Sequence, residues 1–119
     1  MENKTEATHY VVDLYQIENK SIDNEDFCLD ILHRAVEIAG QKIINTYKYK
    51  PDANKISIKA TFLTGHCNLC TWPEQTYCAI DFYGCDGEAL KKGIDCLINS
   101  LNPKKIRMME LKRGNEHDN

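Results

Sequence analysis

Residues 64–74 read TGHCNLCTWPE, eleven positions that gather a histidine, two cysteines, the only tryptophan and a carboxylate. Two chemistries are open to such a set. His66, Cys67 and Cys70, with Cys78 or Cys85 nearby, offer soft ligands at a spacing suited to zinc. Structural zinc sites usually carry two CxxC pairs, however, and only one occurs here, so no metal is expected. Cys67 and Cys70 could instead form a redox pair, because thiols so spaced often have lowered pKa values. The plainer reading makes Cys67 and Cys78 small buried apolar residues, as cysteine commonly is. Cys28 and Cys96 fall within helical patterns and read as core. Cys85 follows Gly84 just before a helix start, where the positive end of the macrodipole favours a thiolate; a packed turn residue is the alternative. His9 and His33 carry no partner signal, and His117 lies in a polar tail.

The elements that must position these residues are legible from periodicity. Residues 8–15 (THYVVDLY) are β-branched and aromatic, as strands prefer, and a polar turn follows at 16–21. Asp23 or Asn24 can cap a helix whose first turn holds Glu25 and Asp26. Phe27, Ile31, Leu32, Ala35 and Ile38 recur at helical spacing, and Gly40 supplies the stop. Residues 42–50 alternate as a strand, 51–54 form a turn, and residues 55–63 alternate again, with Ile56, Ile58 and Ala60 on one face. Such alternation marks a sheet with one buried and one wet face. Periodicity breaks over 65–75, which reads as a functional loop, and a strand resumes at 77–83. Asp86 can cap a second helix carrying Leu90, Ile94, Leu97, Ile98 and Leu101, ended by Asn102-Pro103. A last strand at 105–111 precedes a frayed tail over 112–119. The order is β-α-β-β-β-α-β, an α+β two-layer sandwich with an antiparallel sheet of four to five strands and both helices on one face.

The chain has 119 residues, 42% apolar and 28% charged, which fits one globular domain over 1–119. Its 15 basic and 18 acidic residues give a formal charge of -3 without a basic cluster, so no nucleic-acid partner is expected. No apolar run approaches a membrane span and MENKTEATHYVV lacks the apolar stretch of a signal peptide. A cytoplasmic location with reduced thiols is therefore expected. The KYK and KKI stretches read as solvated edges.

One resemblance is specific. THYVVDLY, TWPE, CAIDFYGCDG and the closing MMELKRG, from about His9 to Gly114, are similar to the small prokaryotic S-adenosylmethionine decarboxylases. TWPE, followed by an Ala-Ile-Asp strand with a cysteine four residues past the aspartate, is the most specific part. The resemblance implies a pyruvoyl enzyme of polyamine (spermidine) synthesis, built on a β-α-β-β-β-α-β protomer that forms homodimers. In that family a proenzyme cuts itself before the serine of an E-S-H motif, and the serine becomes a pyruvoyl group. The pyruvoyl carbonyl holds the substrate amine as a Schiff base and takes up electrons as carbon dioxide leaves.

Carried over by position, the E-S-H motif falls on Thr64, Gly65 and His66. Gly65 has no hydroxyl to attack the preceding carbonyl and no β-substituent to eliminate. Cys70 stands where the family has the processing histidine of H-T-W-P-E. Other positions persist: Ser57 matches a processing serine, Cys85 the proton donor to the decarboxylated carbon, and Tyr49 an aromatic that stacks on adenine. Trp72 and Glu74 keep the ligand-proximal part of the motif. Tyr49 reads equally as a solvent-facing strand residue, and Trp72 as a loop anchor. The implied protein forms no pyruvoyl cofactor and binds S-adenosylmethionine or a related small amine. It acts as a binding or regulatory homologue, either as a homodimer or paired with an active paralogue. The alternatives are an active decarboxylase processed at Thr64, which would give a 2-oxobutanoyl group, or a thiol or zinc protein on the same scaffold.

Overall fold

The first strand shows how this sequence makes a sheet with two unlike faces. Along Ala7–Ile17 (β1), Thr8, Tyr10, Val12 and Leu14 are buried, while His9, Val11, Asp13 and Tyr15 are half-exposed on the other side, because successive strand residues point to opposite faces. The computed structural model describes residues 6–18 and 20–114. After β1 come a 3-10 turn at Lys20–Asp23, helix α1 (Glu25–Ile38), and strands β2 (Ile43–Tyr49), β3 (Ile56–Phe62) and β4 (Gly65–Trp72). A second 3-10 turn at Pro73–Gln75 leads to β5 (Tyr77–Gly84), helix α2 (Gly87–Leu101) and β6 (Pro103–Arg113). The strands form one antiparallel sheet in the order β2-β3-β4-β5-β1-β6. The α+β two-layer class expected from the sequence holds, with six strands rather than four or five.

The added strand is β4. Its Cys67, Leu69 and Thr71 are buried beneath the helices, and His66, Asn68, Cys70 and Trp72 lie half-buried on the opposite face. The alternation was present but disguised, since cysteine and threonine occupy the inward places that Val or Ile usually fill. Thr71 accepts a hydrogen bond from the Ile56 backbone N–H at 3.3 Å, which satisfies its buried hydroxyl. The expected tail is also shorter: Lys112 and Arg113 pair with Thr8 and Ala7 in the sheet, because β1 begins early enough to hold them. Residues 115–119, with His117, lie outside the described residues.

Both helices start and stop as their sequences dictate. The Asn24 side chain accepts from the Phe27 N–H at 3.0 Å and Asp86 from the Ala89 N–H at 3.2 Å. Gly40, at φ +76°, closes α1: its N–H bonds to Glu37 O while the Gln41 N–H reaches Val36 O, the paired bonds of a Schellman end. Asn102 takes the left-handed conformation after α2, directly before Pro103. The apolar stripes of both helices close over one face of the sheet. Ile31, Leu32, Ala35, Leu90, Ile94 and Leu97 are buried against Val12, Leu14, Ile58, Leu69, Ile80 and Phe82. Among the described residues no helix is long and apolar enough to cross a membrane.

α2 packs tightly on α1 at Gly93, where an added Cβ would lie 2.6 Å from the Ala35 carbonyl oxygen and 2.8 Å from the Phe82 ring. Gly93→Ala is therefore expected to destabilise the protein by about 1–3 kcal/mol in urea unfolding, overpacking outweighing the roughly 1 kcal/mol gained in helix propensity. A neutral or stabilised variant would show that the two helices are free to separate.

Candidate functional site

Strand pairing decides which candidate residues can meet. Tyr49 on β2 lies opposite Ser57 on β3, and Ser57 lies opposite Cys70 on β4. The three form one cross-strand row on the face turned away from the helices. Ser57 Oγ and Cys70 Sγ are 3.4 Å apart, and Tyr49 at the sheet edge is 66% exposed. Trp72 is two residues further along the same face. Its ring is 5.1 Å from that of Tyr77, Tyr77 stacks on Tyr15 at 5.3 Å, and the ammonium groups of Lys55 and Lys105 sit over the Trp72 and Tyr15 rings. Asp13 accepts from the Tyr77 hydroxyl at 2.6 Å, so that burial and the bond to this carboxylate raise the phenol's pKa.

Glu74 follows in the short turn, where it accepts from the Asn54 side chain at 3.0 Å. Thr76 ends that turn at φ +51°, a backbone region uncommon for a β-branched residue, and its carbonyl accepts from the Ile17 N–H at 3.1 Å. Trp72, Glu74, Tyr77, Asp52 and Lys55 line a cleft of about 460 Å³. Two carboxylates beside two aromatic faces suit an organic cation.

The remaining candidates, Gly65, His66 and Cys85, lie at the opposite end of the sheet. Gly65 and Cys70 lie five positions apart on β4, about 17 Å at strand rise. Ser57, His66 and Cys85, which the resemblance assigns to one reaction, are thus not brought together within a chain. Cys85 is exposed in a cleft of about 530 Å³ that Thr8, Gly87, Lys112 and Arg113 help to form. Gly65 sits hard against β5: a Cβ there would lie 1.8 Å from the Tyr83 carbonyl oxygen and 3.0 Å from Gly84 Cα.

Other expectations are corrected. An odd separation in a strand points two side chains to opposite faces, so Cys67, fully buried, and Cys70 cannot share one ion or bond to each other. No cluster of three or more metal-ligating side chains occurs among the described residues. Burial pushes the Cys28 thiol up to about 12 and raises Cys67 and Cys78 as well, which leaves these three unreactive. His33 does have a partner, the Thr46 hydroxyl at 2.9 Å. His9 has Asp81, at 3.1 Å, a contact made by the pairing of β1 with β5.

His9, His66 and Arg113 surround Tyr83, whose ring is 5.9 Å from His9, 5.6 Å from His66 and 5.3 Å from the Arg113 guanidinium. Between the two ends lies Asn68, flanked by Lys59 and Asp81 in the register. Its Oδ1 is shut off from solvent with no hydrogen-bond partner, the one such side-chain atom among the described residues. Sequence reading passed over Asn68, since nothing in its neighbours marks it.

Burial holds the His66 imidazole below its ordinary pKa; Lys59 and His9 add to the shift and Asp81 opposes it. The folded chain refuses a proton that the unfolded chain accepts, so stability is expected to fall as pH drops through the ordinary histidine range near 6.5. Urea titrations between pH 7.5 and 5 check this, with His66→Gln expected to flatten the slope. An unaltered slope would remove His66 as its origin.

Residues 8–114 match the family model described as S-adenosylmethionine decarboxylase. The S-adenosylmethionine decarboxylase proenzyme of Persephonella marina is 30% identical over 112 residues, covering 93% of this chain and 84% of the relative. The proenzyme of Thermococcus gammatolerans is 28% identical over 118 residues, 98% of this chain and 82% of the relative. The crystal structure of the adenosylmethionine decarboxylase from Aquifex aeolicus superposes with a TM-score of 0.87 at 28% identity, over 94% of this chain and 93% of that one. With the family model spanning nearly the whole described fold, the chain belongs to the S-adenosylmethionine decarboxylase family.

Proposed function

We propose that this chain is a cytoplasmic member of the family that makes no pyruvoyl group of its own and works as a binding or regulatory homologue. Gly65 carries the reading. Self-cleavage needs a hydroxyl at that position, and the ketone must be built from the same side chain. Gly65 supplies neither atom, and the Tyr83 carbonyl fills the space a Cβ would take. The pyruvoyl group therefore does not fit the residues present. Six free cysteines accord with a reducing compartment.

The ligand-binding half is better preserved. Trp72, Tyr77, Glu74, Asp52 and Lys55 form a cleft in which the Lys55 ammonium already lies over the Trp72 ring; a sulfonium or ammonium group, as in S-adenosylmethionine or a related small amine, takes that place by displacing it. Tyr49 stands within the same region of the face, where it can stack on a planar ring.

Completing the site takes a second chain, either another copy or an active paralogue. A two-fold axis lying in the uncovered face, across β4 at Asn68, exchanges position 66 with position 70. It lays the Gly65–Cys85 end of one chain on the Ser57–Cys70 end of its partner. The same axis sets the two Asn68 amides against each other, where each N–H donates to the other's orphaned oxygen. Exposed Tyr47, Tyr49 and Met109 supply apolar surface at the rim of that face.

Intact mass decides the first part: a single species of 13.7 kDa is expected, whereas two fragments with a carbonyl-blocked residue 64 would establish processing at Thr64 and an active decarboxylase. Gly65→Ser is expected to remain uncleaved and to lose about 1–3 kcal/mol of stability, because β5 must move. Asn68→Asp puts like charges together at the axis, so sedimentation at pH 7 is expected to show at least a tenfold weaker dimer. An undiminished dimer would place the interface elsewhere.

A further inference from the structure

One cation is already present in the Trp72 cleft, that of Lys55. Lys55 lies one place before the Ile56–Thr71 pair of β3 and β4, and so across from Trp72. The turn that presents it is tied down at three points. The Asn54 N–H donates to the Asp52 carboxylate at 2.8 Å, the Lys55 N–H to the Asp52 carbonyl at 3.3 Å, and the Asn54 side chain to Glu74 at 3.0 Å. From this fixed base the Lys55 ammonium reaches to 5.7 Å from the centre of the Trp72 ring. Asp52 and Glu74 line the same cleft, yet among the described residues no carboxylate forms an ion pair with Lys55. The ammonium rests on the ring instead.

We propose that Lys55 is a built-in competitor: it holds the Trp72 ring face until a ligand cation displaces it, and so sets which cations the cleft accepts. This rests on the cation-binding reading of the cleft given above. A tethered group competes at an effective concentration on the order of millimolar, so every entering cation must first clear the ring of Lys55. The lysine ammonium is compact and strongly hydrated. A primary amine that takes its place exchanges like for like and gains little. A sulfonium carries no N–H to bond with water, so it gives up less hydration when it settles on the ring, while the freed Lys55 ammonium returns to solvent. The exchange therefore favours a sulfonium or a fully substituted ammonium over a primary amine. Two carboxylates, Asp52 and Glu74, line the cleft, so they balance the entering charge and the displaced lysine together. Lys55 thereby acts on specificity, with no part in bond making.

The test is calorimetric titration of the purified full-length protein with S-adenosylmethionine, comparing the wild type with Lys55→Met, which keeps the aliphatic stem, and Lys55→Arg, which keeps the charge. Lys55→Met is expected to bind about fivefold more tightly, the scale of one exposed cation–π contact. Lys55→Arg should bind no more tightly than the wild type, since a guanidinium also stacks on the ring. S-Adenosylhomocysteine, whose sulfur is uncharged, should gain less than twofold from Lys55→Met. Proton NMR follows the lysine itself: its ε-methylene signals should be shifted upfield by the Trp72 ring in the free protein and lose that shift in Trp72→Leu. Trimethylsulfonium should remove the shift at lower concentration than methylammonium. Equal affinity of wild type and Lys55→Met, an equal gain for both ligands, unshifted signals in the free protein, or an equal or reversed order of the two small cations overturns the competitor and leaves the cleft a binding site. No binding of S-adenosylmethionine to any of the three proteins refutes the ligand reading and the competitor with it.

Discussion

Everything about the candidate site follows from the pairing of β4 with a strand on either side. An interior antiparallel strand has its backbone groups committed to both neighbours, so it can neither bend nor slip. A one-residue slip would send Cys67, Leu69 and Thr71 to the wet face and His66, Asn68 and Cys70 into the core. The same rigidity that fixes which side chains share a face also fixes how far apart they are. Gly65 and Cys70 are held by extended chain, and no adjustment of rotamers brings them together. The sheet therefore both supports the candidate residues and keeps its two ends apart.

The sequence revealed the fold where side-chain chemistry and burial agree. β3 alternates cleanly between aliphatic and polar residues, and both helices carry apolar stripes with Asn24 and Asp86 at their starts. It misled where they disagree. β4 fills its inward positions with Cys67, Leu69 and Thr71, and its dense reactive residues resemble a loop. Of the site, Ser57, Cys70, Tyr49, Trp72 and Glu74 were legible through family resemblance, and the structure collects them around one region of the sheet. Asn68 and the His9–Asp81 contact were not. Each depends on register, which is set by long-range pairing rather than by any local motif.

The departures from the family fall unevenly across that geometry. At one end of the face, Gly65 carries no side chain and packs against the Tyr83 carbonyl. At the other, aromatic rings, carboxylates and lysines remain in mutual contact from Lys55 through Trp72, Tyr77 and Tyr15 to Lys105. These contacts stabilise the sheet's outer surface whether or not a ligand is present.

The closeness of Gly65 to the Tyr83 carbonyl narrows what position 65 can hold. The neighbouring strand fills the volume a Cβ would need, so any residue larger than glycine meets an obstructed place. Accommodating one demands a coordinated shift of two strands, and such a contact acts as a steric lock on that pair.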